Sequence, residues 1–404
     1  MLPTSILRVW LLALISLGIL GGSAYLGHEW YRRSWSYDHV RHASFFDPQF
    51  GFNEATLLLA AAVFLIFVAI AGKLIVRAVL SVTSSSTRRG SADATSPYAS
   101  PEPIERQRAR RPDGSELEVK VYGARDGIPM VLSHGWSMNS DEWNYLKREL
   151  SDRYRLIVWD EPGLGASTRP ANRDYSLENL ARDLEAVLAL SGGQPAILLG
   201  HSIGGMITLT FCRLFPEALG SRVAGLVLAH TTYTNPVRTA KGAAFYSLIE
   251  KPVLVPLMYL TIALSPLVWL MNWLSYRNGS AHLSTKRSSF GGTESWEQID
   301  FAAHFQAKAS PAVVARGMLG MMRYDATATL KTVTVPTLVV AGDRDPLTKP
   351  EASARIRTDV PNARLVTLSP AKHLGLIEHH AQFAKELRQL AQHSATAAPD
   401  VPLA

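Results

Sequence analysis

The chain has 404 residues and a formal net charge of +7; 47% of its residues are hydrophobic and 19% are charged. This composition excludes a fully disordered chain, which would be poor in apolar residues and rich in charge. The single cysteine, Cys212, excludes an internal disulfide framework and a multi-cysteine metal site.

The positive charge is concentrated in the first quarter of the chain. Residues 1–111 contain 12 Lys and Arg against 7 Asp and Glu, whereas the remainder contains 29 against 27. A nucleic-acid-binding protein usually carries its positive excess on the folded domain. Here the excess flanks two apolar stretches, which is typical of membrane proteins. We therefore expect the membrane bilayer as a partner and no nucleic acid.

The two apolar stretches are Val9–Leu26 and Ala55–Gly72. Each is about 18 residues long, close to the minimum that crosses a hydrocarbon core of ~30 Å. They predict two transmembrane helices, over about 9–26 and 55–76, with a connecting loop, all within residues 1–80. Two alternatives stay open: a cleaved signal peptide for the first stretch and a buried helix of a soluble domain for the second.

Basic residues close to the spans indicate the orientation, because they remain on the cytoplasmic side. The loop between the two stretches carries three arginines but also four acidic residues. The segment that follows the second stretch has an excess of basic residues: Lys73, Arg77, Arg88 and Arg89. We therefore expect an integral inner- or plasma-membrane protein whose large C-terminal part faces the cytoplasm.

The remaining chain divides into a linker, a folded region and a tail. Residues 81–102 are rich in Ser, Thr, Pro and Ala and have no hydrophobic period, which predicts a flexible linker. Residues 393–404 predict a disordered tail. Between them, residues 103–392 alternate short apolar runs with amphipathic stretches. This alternation predicts an α/β fold with a mostly parallel sheet and helices on both faces.

The predicted elements follow one another in a regular order. The apolar runs predict strands at Met130–Ser133, Leu156–Trp159, Ala196–Leu199, Leu226–Ala229, Thr337–Val340 and Arg364–Leu368. The amphipathic stretches predict helices at Asp141–Leu150, Ser176–Leu190 and Gly205–Phe215, with Ser176 as an N-cap.

One strand leads directly into Gly200-His201-Ser202-Ile203-Gly204, and a helix follows. This G-x-S-x-G motif between a strand and a helix is the signature of a nucleophile elbow, which exposes the serine hydroxyl above the sheet. The glycines are needed because a side chain would strike the neighbouring strand or helix. An ordinary glycine-rich turn is the alternative, but the flanking strand and helix favour Ser202 as a catalytic nucleophile.

A serine nucleophile needs a histidine base held by a carboxylate, and in this arrangement the chain order is Ser, Asp, His. The loop after the strand at Thr337 contains two acids, Asp343 and Asp345. We predict Asp345 as the triad acid, with Asp343 as the second choice. His373 follows the last strand and precedes the last helix, and we predict it as the base.

The oxyanion formed during acyl transfer needs preorganised N–H donors. One donor is expected from Ile203, directly after the nucleophile. The other is expected from the backbone of Trp136, after the strand that ends at Ser133; Trp136 is alternatively, or additionally, a wall of the pocket. His134 is expected to order this loop, and the loop Asp160–Ser167 is expected to be a structural turn.

These motifs together resemble the α/β-hydrolase superfamily of esterases, lipases and epoxide-hydrolase-like enzymes, from about Pro103 to Gln392. The resemblance implies the Ser202, Asp345 and His373 triad, no cofactor and no metal. It also implies a helical cap over the site at about 232–310. Epoxide hydrolases and haloalkane dehalogenases of this superfamily use an aspartate nucleophile, and Ser202 departs from that pattern.

The sequence therefore predicts a membrane-anchored serine hydrolase that cleaves carboxylic esters of lipid-like substrates. Within the cap, Pro252–Tyr276 contains no charged residue. This segment is expected to dip into the bilayer, with packing inside the cap or a membrane crossing as alternatives. A perhydrolase or haloperoxidase-like enzyme, and a non-catalytic interaction protein with this fold, are the alternative functions.

Overall fold

The computed structural model describes residues 2–48, 50–83 and 96–396. Most of the predicted linker, residues 84–95, lies outside the described residues, as do residues 397–404 of the predicted tail. The last helix runs to Thr396. The tail prediction is therefore wrong for residues 393–396, which continue the amphipathic helix that precedes them.

The N-terminal region is a hairpin of two long helices. Helix α1 spans Ile6–Arg33 and α2 spans Glu54–Thr83. Two short antiparallel strands connect them, β1 (Trp35–Asp38) and β2 (Ala43–Phe46). Both helices are longer than their apolar stretches, because the helical backbone continues through the polar and aromatic residues at their ends.

An eight-stranded sheet forms the centre of the following domain. Its strands are β3 (Glu105–Arg110), β4 (Glu116–Gly123), β5 (Ile128–Ser133), β6 (Tyr154–Trp159), β7 (Ala196–His201), β8 (Val223–Ala229), β9 (Thr337–Gly342) and β10 (Ala363–Leu368). Their order across the sheet is β10-β9-β8-β7-β5-β6-β4-β3. Strands β5 to β10 are mutually parallel, and β4 runs antiparallel to β6 and to β3. The predicted α/β class and mostly parallel sheet are therefore confirmed.

Helices cover both faces of the sheet. They are α3 (Asn144–Leu150), α4 (Leu177–Leu188), α5 (Ile203–Leu214), α13 (Pro350–Asp359) and α15 (His380–Thr396). Two further helices are α12 (Pro311–Met321), which precedes β9, and the short α14 (Gly375–Glu378), which follows β10. The hydroxyl of Ser176 accepts a hydrogen bond from the Asn179 N–H at 3.3 Å, so Ser176 caps α4 as predicted. Alternate residues of β7 enter opposite hydrophobic clusters, Leu198 in one and Ile197 with Leu199 in the other.

A set of helices is inserted between β8 and α12. It comprises α6 (Pro236–Thr239), α7 (Ala243–Ile249), α8 (Val255–Ala263), α9 (Ser265–Arg277), α10 (Ser280–Ser289) and α11 (Trp296–Lys308), and a π-helical turn at Glu250–Leu254 joins α7 to α8. This inserted set, the cap, packs against the hairpin. The Trp10 Nε1 donates to the Thr261 hydroxyl at 3.0 Å, and Lys73 lies 3.6 Å from Asp300.

Residues at and just before the start of α1 are part of the domain core. Leu2 and Ile6 are 0% and 1% exposed, and they belong to the same hydrophobic cluster as Trp136 and Ile203. The hairpin is thus attached to the domain through buried apolar contacts as well as through the chain.

Candidate active site

Ser202 lies in the sharp turn between β7 and α5, with φ +55° and ψ −113°. The two motif glycines permit this turn. A Cβ at Gly200 would lie 2.3 Å from the Gly204 backbone, and a Cβ at Gly204 would lie 2.2 Å from the Ser133 carbonyl oxygen. Real Cβ atoms do not approach backbone this closely, so the elbow geometry requires glycine at both positions.

The three residues predicted as a triad are brought together across 171 positions of the chain. The Oγ of Ser202 lies 2.9 Å from the Nε2 of His373. The Nδ1 of the same imidazole lies 2.8 Å from the Oδ2 of Asp345. The structure therefore aligns a hydroxyl, an imidazole and a carboxylate in hydrogen-bonding series, an arrangement that activates a serine for nucleophilic attack.

Asp345 is fixed by its own loop. Its Oδ1 accepts the N–H groups of Leu347 and Thr348 at 2.8 and 3.1 Å, and its Oδ2 accepts the Thr348 hydroxyl at 2.8 Å. Burial raises the pKa of this carboxyl, but the nearby His373 and the hydrogen bonds hold the pKa below its ordinary value. Asp345 is therefore a carboxylate at neutral pH.

The second candidate acid, Asp343, has a different role in the loop. Its Oδ1 accepts the Ala371 N–H at 2.8 Å, and its Oδ2 accepts the Ser369 hydroxyl at 2.8 Å. These contacts connect the loop after β9 to the loop after β10. Asp343 thus positions the segment that carries His373, without contacting its ring.

His373, the predicted base, is buried, and burial lowers its pKa although Asp345 opposes the change. A second histidine, His230, lies with its Nδ1 3.5 Å from the Oδ2 of Asp345. Burial lowers the pKa of His230 to about 4, so it is neutral at pH 7. Sequence analysis did not identify His230 as a neighbour of Asp345. The only signal in the sequence was the position of His230 directly after β8.

The predicted oxyanion donors lie beside the serine. Ile203 is the first residue of α5, so its N–H has no carbonyl acceptor within its own helix. Trp136 lines the cavity next to Ser202. Its indole is fully buried and donates to the Val314 carbonyl at 2.8 Å, which fixes the loop against α12.

Sequence analysis missed a buried pair that holds this loop in place. The Oε2 of Glu142 accepts the Gly135 N–H at 2.7 Å, and its other oxygen contacts His201. The Nε2 of His201 lies 3.1 Å from the His373 carbonyl oxygen, so the pair connects the Trp136 loop to the histidine loop. Burial raises the pKa of Glu142, but His201 and the Gly135 N–H hold it below its ordinary value. The elbow motif contains His201, yet nothing in the sequence indicates Glu142 as its partner.

Hydrogen bonds within the protein hold the two loops that were expected to be structural, the one at His134 and the one that begins at Asp160. The Nδ1 of His134 donates to the Gly135 carbonyl at 3.0 Å, and its Nε2 accepts the Glu161 N–H at 3.0 Å. Asp160 accepts the N–H groups of Ser140 and Ala166 at 2.7 and 2.8 Å. Within the described ranges, no group of three or more His, Cys, Asp or Glu side chains is arranged to hold a metal ion.

Ser202 lines a small cavity that shares lining residues with two larger ones. The small cavity, about 40 Å³, is lined by Ser202, His373 and Trp136 among others. Met138 and Phe305 line both this cavity and a neighbouring one of about 580 Å³. Arg8 lines both the small cavity and another of about 860 Å³. The small cavity at Ser202 therefore borders larger spaces through two different sets of residues.

Comparison with known proteins shows a family match. Residues 128–249 and 256–380, more than half of the chain, match the model of the family described as alpha/beta hydrolase fold. Ser202, Asp345 and His373 all lie inside the matched residues, whereas α1 and α2 lie outside them.

Similar individual proteins include esterases and peroxidases. A pimeloyl-[acyl-carrier protein] methyl ester esterase from Aeromonas salmonicida (strain A449) is 26% identical over 279 residues, which cover 67% of this chain and 98% of that protein. A non-heme chloroperoxidase from Streptomyces lividans is 36% identical over 117 residues, which cover 29% of this chain and 41% of that protein. The crystal structure of a bromoperoxidase from Bacillus anthracis has a TM-score of 0.59 at 20% identity and covers 71% of this chain and 100% of that one. This structural likeness shows the shared fold.

Proposed function

Since this chain belongs to the alpha/beta hydrolase fold family and is a hydrolase, we propose that it cleaves carboxylic esters through an acyl-enzyme formed on Ser202. The observation that carries this proposal is the hydrogen-bonded series from Ser202 through His373 to Asp345, at 2.9 and 2.8 Å. All three side chains are buried at one edge of the sheet, where the field of the carboxylate acts on the imidazole without screening by bulk water.

In the proposed reaction, the Oγ of Ser202 attacks the carbonyl carbon of the ester while the Nε2 of His373 takes the hydroxyl proton. Asp345 stabilises the imidazolium that forms. The oxyanion of the tetrahedral intermediate accepts the backbone N–H groups of Ile203 and Trp136 at the N-terminus of α5, where the helix dipole also favours negative charge. His373 then gives the proton to the leaving alcohol. A water molecule, deprotonated by the same imidazole, releases the acid and restores Ser202.

We assign residues 1–80 to a membrane anchor, residues 81–102 to a linker and residues 103–392 to the catalytic domain. Among the residues that the structure describes, three helical segments are long and apolar enough to cross a bilayer: Pro3–Arg33, Glu54–Thr83 and Ala243–Ala263. The first two carry large apolar side chains that are exposed in the protein alone: Leu11, Leu14, Leu17, Leu57, Phe64, Phe67, Ile70 and Leu74. Exposed apolar surface of this extent favours a lipid environment for the hairpin.

The anchor is proposed to be retained, with the catalytic domain on the cytoplasmic side. Leu2 and Ile6 pack in the core of the domain, so removal of α1 as a signal peptide would leave a cavity there. The start of α1 and the end of α2 both contact the domain, through Ile6 and Leu80. This arrangement keeps both ends of the hairpin on one side of the membrane, the side with the basic residues.

The cap is proposed to lie partly in the bilayer, beside the hairpin. Its helices α7, α8 and α9 expose large apolar side chains: Phe245, Leu248, Tyr259, Leu260, Leu267, Trp269, Leu270 and Trp273. The α9 helix contacts α1 directly, since the hydroxyls of Ser275 and Ser16 lie 3.0 Å apart. A cap embedded next to the active site gives lipophilic esters a route from the membrane to Ser202.

A cofactor-free perhydrolase or haloperoxidase-like reaction is the second candidate, because a non-heme chloroperoxidase is among the similar proteins. It would use the same triad, with hydrogen peroxide attacking the acyl-enzyme in place of water. The complete triad disfavours a non-catalytic interaction protein.

The test is hydrolysis of 4-nitrophenyl esters of graded acyl length by the full-length protein in detergent, with and without hydrogen peroxide. We expect hydrolysis without peroxide, loss of activity in Ser202→Ala and full activity in the control Ser221→Ala, whose exposed hydroxyl only donates to the Glu217 carbonyl. Turnover that requires peroxide would favour the second candidate. Folded protein with no turnover of any ester would contradict both.

A further inference from the structure

The catalytic cavity contains a cation that the family match does not include. Arg8, in the first turns of α1, lines this cavity together with Ser202 and His373. Its Nη1 donates to the Ser288 hydroxyl, and its buried Nε has no hydrogen-bond partner among the described residues. Arg8 also forms no ion pair with any carboxylate among the residues that the structure describes. A guanidinium so placed has unused donor capacity at the site of the reaction.

Arg8 also borders a basic cavity of about 860 Å³. The cations that line this cavity are Arg8, Lys241, Arg287, Arg344, Lys349 and Lys372. The acids that line it are Asp343, Asp345 and Glu351.

Each of these acids already has a partner. Asp345 accepts from His373, and Asp343 lies 3.5 Å from Arg344. Glu351 lies 3.3 Å from Lys349. Within the described ranges, Arg8, Lys241, Arg287 and Lys372 therefore remain as cations without a carboxylate partner. The basic cavity thus carries an uncompensated positive charge next to the catalytic serine.

Such a cavity selects for negative charge in its ligand. A partly buried cation without a partner has lost hydration that an anionic ligand can replace. Guanidinium presents its donors in a planar fork that matches the oxygens of carboxylate and phosphate groups.

We propose that Arg8 is a specificity-determining residue, which binds a carboxylate or phosphate group of the substrate and makes anionic esters the preferred substrate class. This inference rests on the proposed ester hydrolysis at Ser202. It assigns to the N-terminal segment, outside the family match at residues 128–380, a direct part in substrate binding. The preference for anionic over neutral esters is then expected to differ from that of relatives without an N-terminal segment that carries such an arginine.

The first experiment compares the full-length protein on two soluble esters, the 4-nitrophenyl monoester of adipic acid and its neutral methyl ester. The quantity measured is the ratio of kcat/KM for the anionic ester to that for the neutral one. In Arg8→Gln we expect this ratio to fall about tenfold or more, the usual weight of a charge-assisted hydrogen bond. Arg8→Lys should retain part of the preference. Lys331→Gln, which removes an exposed cation that lines neither of these cavities, is the matched control and should leave the ratio unchanged.

A second arm separates a dissolved substrate from a lipid headgroup. Fatty-acid release is measured from vesicles of phosphatidylglycerol and from vesicles of phosphatidylcholine. A preference for the anionic member that depends on Arg8 in either arm supports the proposal, and the arm in which it occurs identifies the source of the anion. No Arg8-dependent preference in either arm overturns it. Labelling of Ser202 by a fluorophosphonate is measured in parallel: labelled protein without anion preference refutes this inference alone, whereas unlabelled protein refutes the proposed hydrolysis.

Discussion

Replacement of Asp345 by asparagine tests the role of the triad acid at the level of single hydrogen atoms. The Oδ1 of Asp345 accepts two backbone N–H groups, from Leu347 and Thr348. In Asp345→Asn the amide oxygen must occupy this position, since an amide nitrogen there would face two donors. The NH₂ group is then placed at the Oδ2 position, 2.8 Å from the Nδ1 of His373.

The consequence is the wrong tautomer of the base. An NH₂ group donates to Nδ1, so the imidazole carries its proton on Nε2, the atom that lies 2.9 Å from the Ser202 hydroxyl. A protonated Nε2 is unable to accept the serine proton. We expect kcat to fall about 10⁴-fold, the loss typical of this tautomer change in a serine triad. The substitution preserves size, so the thermal unfolding temperature should change little.

The assay is steady-state hydrolysis of a 4-nitrophenyl ester by the purified full-length protein. Asp343→Asn is the matched control in the same loop, because its amide oxygen still accepts the Ala371 N–H and its NH₂ group donates to the Ser369 hydroxyl. It should retain activity within a few-fold of wild type. Near-wild-type kcat in Asp345→Asn, or a greater loss in Asp343→Asn, would refute the assignment of the triad acid.

Three further predictions follow from burial, sterics and charge. Because burial lowers the pKa of His373 and the neutral imidazole is the base, kcat/KM should rise with pH through a midpoint below 6.5 in a pH–rate profile; a midpoint above 7 would contradict the buried base. Gly204→Ala places a Cβ 2.2 Å from the Ser133 carbonyl oxygen, so active-site labelling should be lost, and normal labelling would contradict the elbow geometry. Ile6→Ala should destabilise the domain by about 2–5 kcal/mol, measured by thermal unfolding in detergent, while Leu14→Ala, at 61% exposed, should not; equal shifts would contradict the packing of the N-terminal segment in the core.

The central strands and the elbow could be predicted from sequence because their signals are local. Buried parallel strands are apolar on both faces, and the G-x-S-x-G motif follows one of them directly. The edge strand β3 and its antiparallel neighbour β4 were not predicted. Strand β3 is Glu-Arg-Gln-Arg-Ala-Arg, largely exposed, and its arginines pair with Glu116 and Glu118 of the neighbouring strand. A polar edge strand has no apolar run that would indicate it.

Contacts between distant parts of the chain could not be predicted. Arg8 donates to Ser288, 280 residues away, and Glu142 contacts His201 across 59 positions. The first contact depends on how the hairpin packs on the cap, and the second on how the loop after β5 folds over the end of β7. No local pattern specifies either arrangement. The chain order of Ser, Asp and His selected three residues that the structure brings together, since each residue follows a strand whose end lies at the same edge of the sheet.

The most direct test of the central claim is fluorophosphonate labelling of membranes that contain the full-length protein, beside Ser202→Ala, His373→Ala and Ser221→Ala. The account predicts labelling of wild type and Ser221→Ala, and its loss in the two triad variants, because only a serine activated by His373 reacts rapidly. Unlabelled, folded wild type, or labelling that persists in Ser202→Ala, would contradict the assignment of Ser202 as the nucleophile.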